Sequence, residues 1–293
     1  MSTSRLKRIL GFISLLGVAF TVPSFAHVDD KPPFYKIEYQ GRTAYLLGSV
    51  HVGLTDFYPM AKQIEQHFEA ASALVVEADV TKADIYSLIQ QYGQSPQPLD
   101  AVTQSMLTQF CQRQTPYCQG IERMSPWLQS MQLSLARFSL LGYLPQFGVD
   151  STLMAKNGDR PIYELESVEF QLALMASFDH QTQSTMIKES IELPDDELHA
   201  LIAAWRQGDD VKLAQIMAEQ SNLDDNNAFI DKLLWQRNVT MAKNIMNLLA
   251  QTPSTQSLFI VIGAGHLVGD KSVPENLISH GASITHCWKN VCS

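Results

Sequence analysis

The sequence predicts an α/β fold (α+β in its layering): a mostly parallel central sheet made from two halves, with a large helical insertion between them. Three observations predict it. Near the start, apolar runs at residues 43–47 and 73–79 flank a helical pattern, the strand–helix–strand order of a parallel sheet. Near the end, residues 257–262 form another continuous apolar run of strand length. Between these, apolar residues recur mainly at helical spacing. The 293 residues suit one large domain or two small ones, and 45% hydrophobic with 17% charged residues gives material for a core.

The elements follow in order. Tyr35, Ile37 and Tyr39 alternate with polar residues, Gln40-Gly41-Arg42 turns the chain, and residues 43–47 return as a more buried strand. Residues 59–71 read as a helix with Ile64, His67, Phe68 and Ala71 on one face. The run 73–79 ends in carboxylates. Residues 82–142 are helical, broken at Ser95-Pro96-Gln97-Pro98, and Ser125-Pro126 opens a helix with a cap and a first-turn proline. Residues 160–166 form a short strand. Residues 169–250 are helical again, with a boundary at Gly208-Asp209 and acidic residues opening the helix after Pro194. The strand 257–262, a helix over 273–280 and a last strand over 282–288 complete the chain. We therefore expect one domain over residues 27–293, with the insertion at roughly 82–250 interrupted by the strand near 160–166.

The first residues read as a leader. Arg5, Lys7 and Arg8 precede an apolar run over 9–22, and Ser24-Phe25-Ala26 supplies a small-x-small cleavage site, so residues 1–26 are expected to be a signal peptide. Export to a periplasmic or extracellular space follows as an expectation, with membrane contact only through the leader. No later stretch approaches the roughly 18 apolar residues of a membrane span. Four cysteines in an oxidising compartment favour disulfides, and their spacing favours the local pairs Cys111–Cys118 and Cys287–Cys292. Each would close a short loop and stabilise by about 2–3 kcal/mol. The C-x2-C spacing of structural zinc is absent. A net charge of −9 speaks against nucleic-acid binding, which needs a basic field.

One internal echo carries the chemistry. A buried strand runs into G-x-x-H twice, at Gly48–His51 and at Gly263–His266. Glycine there permits close backbone approach, and the histidines would stand just beyond the strand ends, where open α/β sheets build their sites. Glu77 and Glu166 also fall at or near strand ends; Glu164, two residues earlier, stays open as an alternative. Imidazoles with carboxylates suit zinc, manganese, cobalt or iron. His51, His266, Glu77 and Glu166 are thus candidate metal ligands, with Glu77 or Glu166 as general base. His67 reads as a core histidine; His27, His180, His199, His280 and His286 read as surface or structural. Asn238-Val239-Thr240 matches a glycosylation acceptor but lies in a helical pattern and is discounted. G-x-S-x-G, H-E-x-x-H, P-loop and G-x-G-x-x-G motifs are absent.

These motifs resemble a known family. Leu47-Gly-Ser-Val-His-Val-Gly53 with Phe57-Tyr-Pro59, then residues 74–79, is similar to the opening of the TraB/GumN family. Leu165-Glu166-Ser167 with Gln171, Arg237-Asn238 with Met241, and Val261-Ile-Gly-Ala-Gly-His-Leu267 resemble its later elements in order. The resemblance implies an α/β core related to the Tiki proteins and to ChaN-like and erythromycin-esterase-like folds. It implies metal-dependent proteolysis, carried here by His51, Glu77, Glu166 and His266, with Arg237 as an accessory group that orients a carboxylate or binds substrate. The expected function is a secreted metal-dependent hydrolase, a peptidase acting on a peptide or protein substrate with a divalent zinc, manganese or cobalt ion. The alternative is an exported haem-, metal- or peptide-binding protein without catalysis.

Overall fold

The computed structural model describes residues 30–220 and 228–292. The expected leader, residues 1–26, lies outside the described residues. A six-stranded sheet forms from β1 (Phe34–Tyr39), β2 (Arg42–Ser49), β3 (Ala73–Val76), β4 (Ile162–Glu164), β5 (Ser257–Gly263) and β6 (Ser283–His286), in the order β4-β3-β5-β2-β1-β6. β4, β3, β5 and β2 run parallel, while β1 is antiparallel to both β2 and β6. The sheet is therefore mixed: a parallel half carries an antiparallel edge. The antiparallel step comes from a two-residue turn, with Gln40 and Gly41 both at positive φ (49° and 71°), the geometry that suits the twist of a tight hairpin.

β2 and β3 are joined through helix α1 (Lys62–Ala70) and are parallel, as the strand–helix–strand order predicts. They are not neighbours. The last parallel strand, β5, returns from far along the chain and inserts between them. The apolar runs alternate across the sheet as a two-residue period demands. Tyr45, Leu47, Leu74, Val76, Phe259 and Val261 face one core; Ala44, Leu46, Val75, Leu258, Ile260 and Ile262 face the other. Both faces are apolar, which is why these strands read as continuous hydrophobic runs.

Helices cover both faces. On the first lie α1 through Ile64 and Phe68, α5 (Val149–Lys156) through Val149 and Leu153, and α8 (Asp195–Gln207) through Ile202 and Trp205. On the second lie α11 (Gln236–Gln251), through Met241, Ala242, Ile245 and Leu249, and α12 (Val273–Ser279), through Val273 and Leu277. A separate cluster, with Leu107, Phe110, Leu133, Ala136 and Ile187, forms where α3 (Ala101–Arg113), α4 (Pro126–Leu140) and α7 (His180–Glu192) meet. The disulfide Cys111–Cys118 closes the end of that lobe, and Cys287–Cys292 closes the turn after β6, so both expected pairs form. Helices α2 (Ile85–Tyr92), α6 (Val168–Ala176), α9 (Asp210–Gln220) and α10 (Ala228–Ile230) complete the set. Among the described residues no helix is long and apolar enough to cross a membrane. His67 stacks on Tyr45 with ring centroids 3.6 Å apart and bonds to the Cys292 carbonyl, a packing role that matches its place on the helix face.

The first glycine–histidine motif is pinned from behind. The Trp205 indole is fully buried and its Nε1–H donates to the Gly48 carbonyl at 2.8 Å. The Gly48 N–H donates to the Pro33 carbonyl, and a Cβ on Gly48 would stand 3.1 Å from Leu267 and Pro33. Gly48 is required by close packing. Trp205→Phe removes the donor, leaves a buried carbonyl unpaired and opens a gap, so stability should fall by roughly 3 kcal/mol. Urea unfolding of the two proteins measures it; an unchanged midpoint would contradict the pinning.

Candidate functional site

The four sequence-selected residues stand at one end of the sheet, beyond the C-terminal ends of its four parallel strands. Glu166 follows β4, Glu77 follows β3, His266 follows β5 and His51 follows β2. Because β2 and β5 are adjacent and parallel, with Ser49 opposite Gly263, the two G-x-x-H motifs lie side by side, one residue out of register. Glu164 points elsewhere: its Oε1 accepts the Asp79 N–H at 2.7 Å.

Arg237 fastens the two carboxylates. Its Nε lies 3.0 and 3.1 Å from the two Glu166 oxygens, and its Nη2 donates to Glu166 Oε2 at 2.8 Å and to Glu77 Oε2 at 3.0 Å. Gln171, on α6, donates to Oε2 of both Glu77 (3.1 Å) and Glu166 (3.2 Å). The side chains are nearly dry, at 10% exposure for Arg237 and 3% for Glu166. The position of Arg237 follows from the helix period. It lies four residues before Met241 on the buried stripe of α11, but at the end that passes the strand termini instead of the sheet face. The turn before it, Asp231–Trp235, is π-helical, and Arg237 Nη1 donates to the Leu233 carbonyl within it. Such π turns recur at functional sites.

The histidines have separate partners. His51 Nδ1 lies 2.9 Å from Asp150 Oδ2, and Asp150 Oδ1 accepts from Ser49 Oγ at 2.8 Å. His266 Nδ1 lies 2.5 Å from Asn238 Oδ1. Their other edges converge on Gly263. A Cβ there would sit 3.1 Å from Glu77 Oε1, 3.7 Å from His266 Cδ2 and 4.0 Å from His51 Nε2. Gly263 has an ordinary φ of −53°, so its role is to leave this space open. Glu77 Oε1 accepts the Gly263 N–H at 2.6 Å and lies 3.7 Å from His266 Nε2.

Sequence reading missed Asp150. Its signal is Gly148-Val149-Asp150, which reads only as a helix start. Gly148 is needed because a Cβ would come within 2.5 Å of the His51 carbonyl oxygen, and that contact sets Asp150 beside the ring. Asn238 and Gln171 were visible only as members of motifs. Asn238 is 2% exposed, in agreement with discounting it as a glycosylation acceptor.

The electrostatics separate these groups. Burial alone would raise the Glu77 pKa, but His266, His51, Arg237 and the Gly263 N–H outweigh it and hold the carboxyl down at about 2. Burial dominates at His266 and drives it down to about 4 against the attraction of Glu77, so the ring is neutral at pH 7. The Asp150 carboxylate, by charge and hydrogen bond, raises His51 to about 9. The His51 side chain is 69% exposed, so water screens that attraction and little stability comes from it.

Two buried carboxylates against one guanidinium leave a negative charge beside the imidazoles. Once His51 releases the proton that Asp150 favours, two histidines and a glutamate around an open space are a donor set suited to a borderline divalent ion, and Gly263 keeps that space free. Among the described residues no group of three His, Cys, Asp or Glu side chains is arranged to hold a metal ion. The donor chemistry fits such an ion; the distances are those of a hydrogen-bonded cluster.

Comparison with known proteins places the chain. The model of the TraB/PrgY/gumN family matches residues 33–286. The chain belongs to this family. It is 25% identical to the protein YbaP of Shigella flexneri over 253 residues, covering 80% of this chain and 88% of YbaP. The Escherichia coli YbaP gives the same identity and coverage. An uncharacterized protein of Treponema pallidum is 21% identical over 263 residues, covering 82% of this chain and 78% of the relative. No solved structure matches at a significant level.

The pKa pattern fixes the direction of acid instability. His266 is at about 4 folded against 6.5 in the free side chain, so the unfolded chain binds more protons between those values and stability falls as pH drops through them. Glu77, at about 2 against 4.5, adds a further fall below pH 4.5. Chemical denaturation from pH 7 to 3 should show the first slope in the wild type and a flatter one in His266→Gln. Equal slopes would contradict the buried neutral ring.

Proposed function

We propose that the protein is an exported hydrolase that works with a divalent zinc, manganese or cobalt ion and cleaves a peptide bond. The observation that carries this reading is the convergence of His51 Nε2, His266 and Glu77 Oε1 on the space above Gly263, backed by a buried arginine clamp. Export is supported by the leader-like residues 1–26 and by two disulfides that suit an oxidising compartment.

His51, His266 and Glu77 would hold the ion, which when bound supplies Lewis-acid polarisation and a more acidic water. Arg237 holds Glu77 by Oε2, so that Oε1 faces the histidines. Glu166, with both oxygens on Arg237, suits the task of holding that arginine more than that of a ligand or base. Glu77, anionic and with Oε1 beside the open space, is the ligand of the two. Asp150 holds His51 by Nδ1, the outer partner a ligating histidine ordinarily has. His51 is the exposed group of the site while Glu77, Arg237 and His266 are buried, which favours approach of a substrate from the His51 side.

The test is metal content by mass spectrometry on purified protein, wild type beside His51→Ala, His266→Ala and Gly263→Ala. The same samples are incubated with a peptide library, with and without chelator. Near-stoichiometric metal is expected in the wild type and a loss of at least tenfold in affinity in each variant, with cleavage that chelator abolishes. Gly263→Ala keeps every donor but sets a Cβ 3.1 Å from the clamped Glu77 Oε1, so it should lose metal, and circular dichroism and urea unfolding of the same sample check that it remains folded. Folded wild type that takes up no metal and cleaves nothing would contradict the reading and leave a peptide- or haem-binding role.

A further inference from the structure

We propose that Asn238 is a positioning residue that selects the tautomer of His266, keeping the proton on Nδ1 and leaving Nε2 bare toward Glu77 and Gly263. Several atoms here can only donate or only accept, and they fix the rest. Asn238 Nδ2 lies 2.9 Å from the Lys271 carbonyl. A carbonyl oxygen only accepts, so the amide nitrogen of Asn238 must face it. The Asn238 oxygen is then the atom 2.5 Å from His266 Nδ1. An amide oxygen also only accepts, so Nδ1 carries the hydrogen. A neutral imidazole has one N–H, and Nε2 is therefore the bare nitrogen.

The choice is not the one the ring would make alone. Glu77 Oε1 lies 3.7 Å from Nε2 and is an anionic acceptor. Without Asn238, that negative charge would favour the opposite tautomer, with the Nε2–H turned toward the carboxylate. The Nε2 lone pair would then be capped by a hydrogen facing Glu77 Oε1. Asn238 holds these two acceptors apart as an open donor pair.

The Lys271 carbonyl is a firm anchor. It also accepts from Asn276 Nδ2 at 3.1 Å, and the Lys271 N–H donates to Glu275 Oε2 at 2.9 Å. The residue takes a left-handed φ of 60°, and its ammonium rests 3.6 Å from the centre of the Trp235 ring. Asn238 is buried, so water does not compete for either end of its amide. The consequence for ligation rests on the reading of His266 as a metal ligand; the tautomer itself does not.

Long-range proton–nitrogen spectra of 15N-histidine-labelled protein at pH 7 test this directly. In the wild type His266 should show a protonated Nδ1 and an unprotonated Nε2. Asn238→Ala should move the hydrogen to Nε2, and Asn238→Asp, which keeps an acceptor, should leave it on Nδ1. Zinc titrated alone, without peptide, should bind Asn238→Ala about 10–100-fold more weakly and Asn238→Asp with a smaller loss. A wild-type His266 protonated at Nε2 overturns the proposal, and this spectrum decides even if Asn238→Ala does not fold. So does an Asn238→Ala protein that keeps Nδ1–H. Wild type that shows the expected tautomer but ignores zinc would count against the hydrolase reading and leave the role of Asn238 standing.

Discussion

A single guanidinium, shared between two dry carboxylates, is the contact on which the site depends. Arg237 spends its Nε and Nη2 on Glu166 and its Nη2 again on Glu77. Removing either partner would strand a buried charge, which costs several kcal/mol, whereas the intact triad is close to neutral in its effect on folding. Its value is therefore orientation. Glu77 is gripped by Oε2 on one side and by the Gly263 N–H at Oε1 on the other, which leaves little freedom to rotate.

Around that grip the fold brings the remaining groups together through register. Four parallel strands end at one edge, so the residues that follow them lie in a row: Glu166, Glu77, His266 and His51. Their partners come from outside the sheet. α11 supplies Arg237 and Asn238 from the end of its own apolar stripe, α6 supplies Gln171, and α5 supplies Asp150. Trp205 ties the glycine of the first motif to the helix layer behind it.

What could be read from the sequence divides along the same line. Strands buried on both faces announce themselves as apolar runs, and a glycine, histidine or glutamate just after such a run stands out against it. His51, Glu77 and His266 were legible for that reason. Arg237 and Asn238 were legible only through the motif they share, because a helix period alone cannot say that the stripe runs past the sheet's end. Asp150 sits in a helix with almost no amphipathic pattern, and its role depends on a close approach between Gly148 and the His51 backbone that lies far outside local sequence. The insertion of β5 between β2 and β3 was equally out of reach: apolar runs reveal strands, and strand order is decided by which pairings bury both faces.

The central claim is that His266, His51, Arg237 and the Gly263 N–H together keep Glu77 an anion at neutral pH, with Arg237 turning one oxygen to the histidines. A carbon-13 titration of the Glu77 side-chain carboxyl, followed together with the Gly263 amide proton, measures this most directly. The account predicts that the carboxyl stays ionised until about pH 2 and that the Gly263 amide signal moves with the same midpoint. A Glu77 that titrates in the ordinary carboxylate range near 4.5, with the Gly263 amide unmoved, would contradict it.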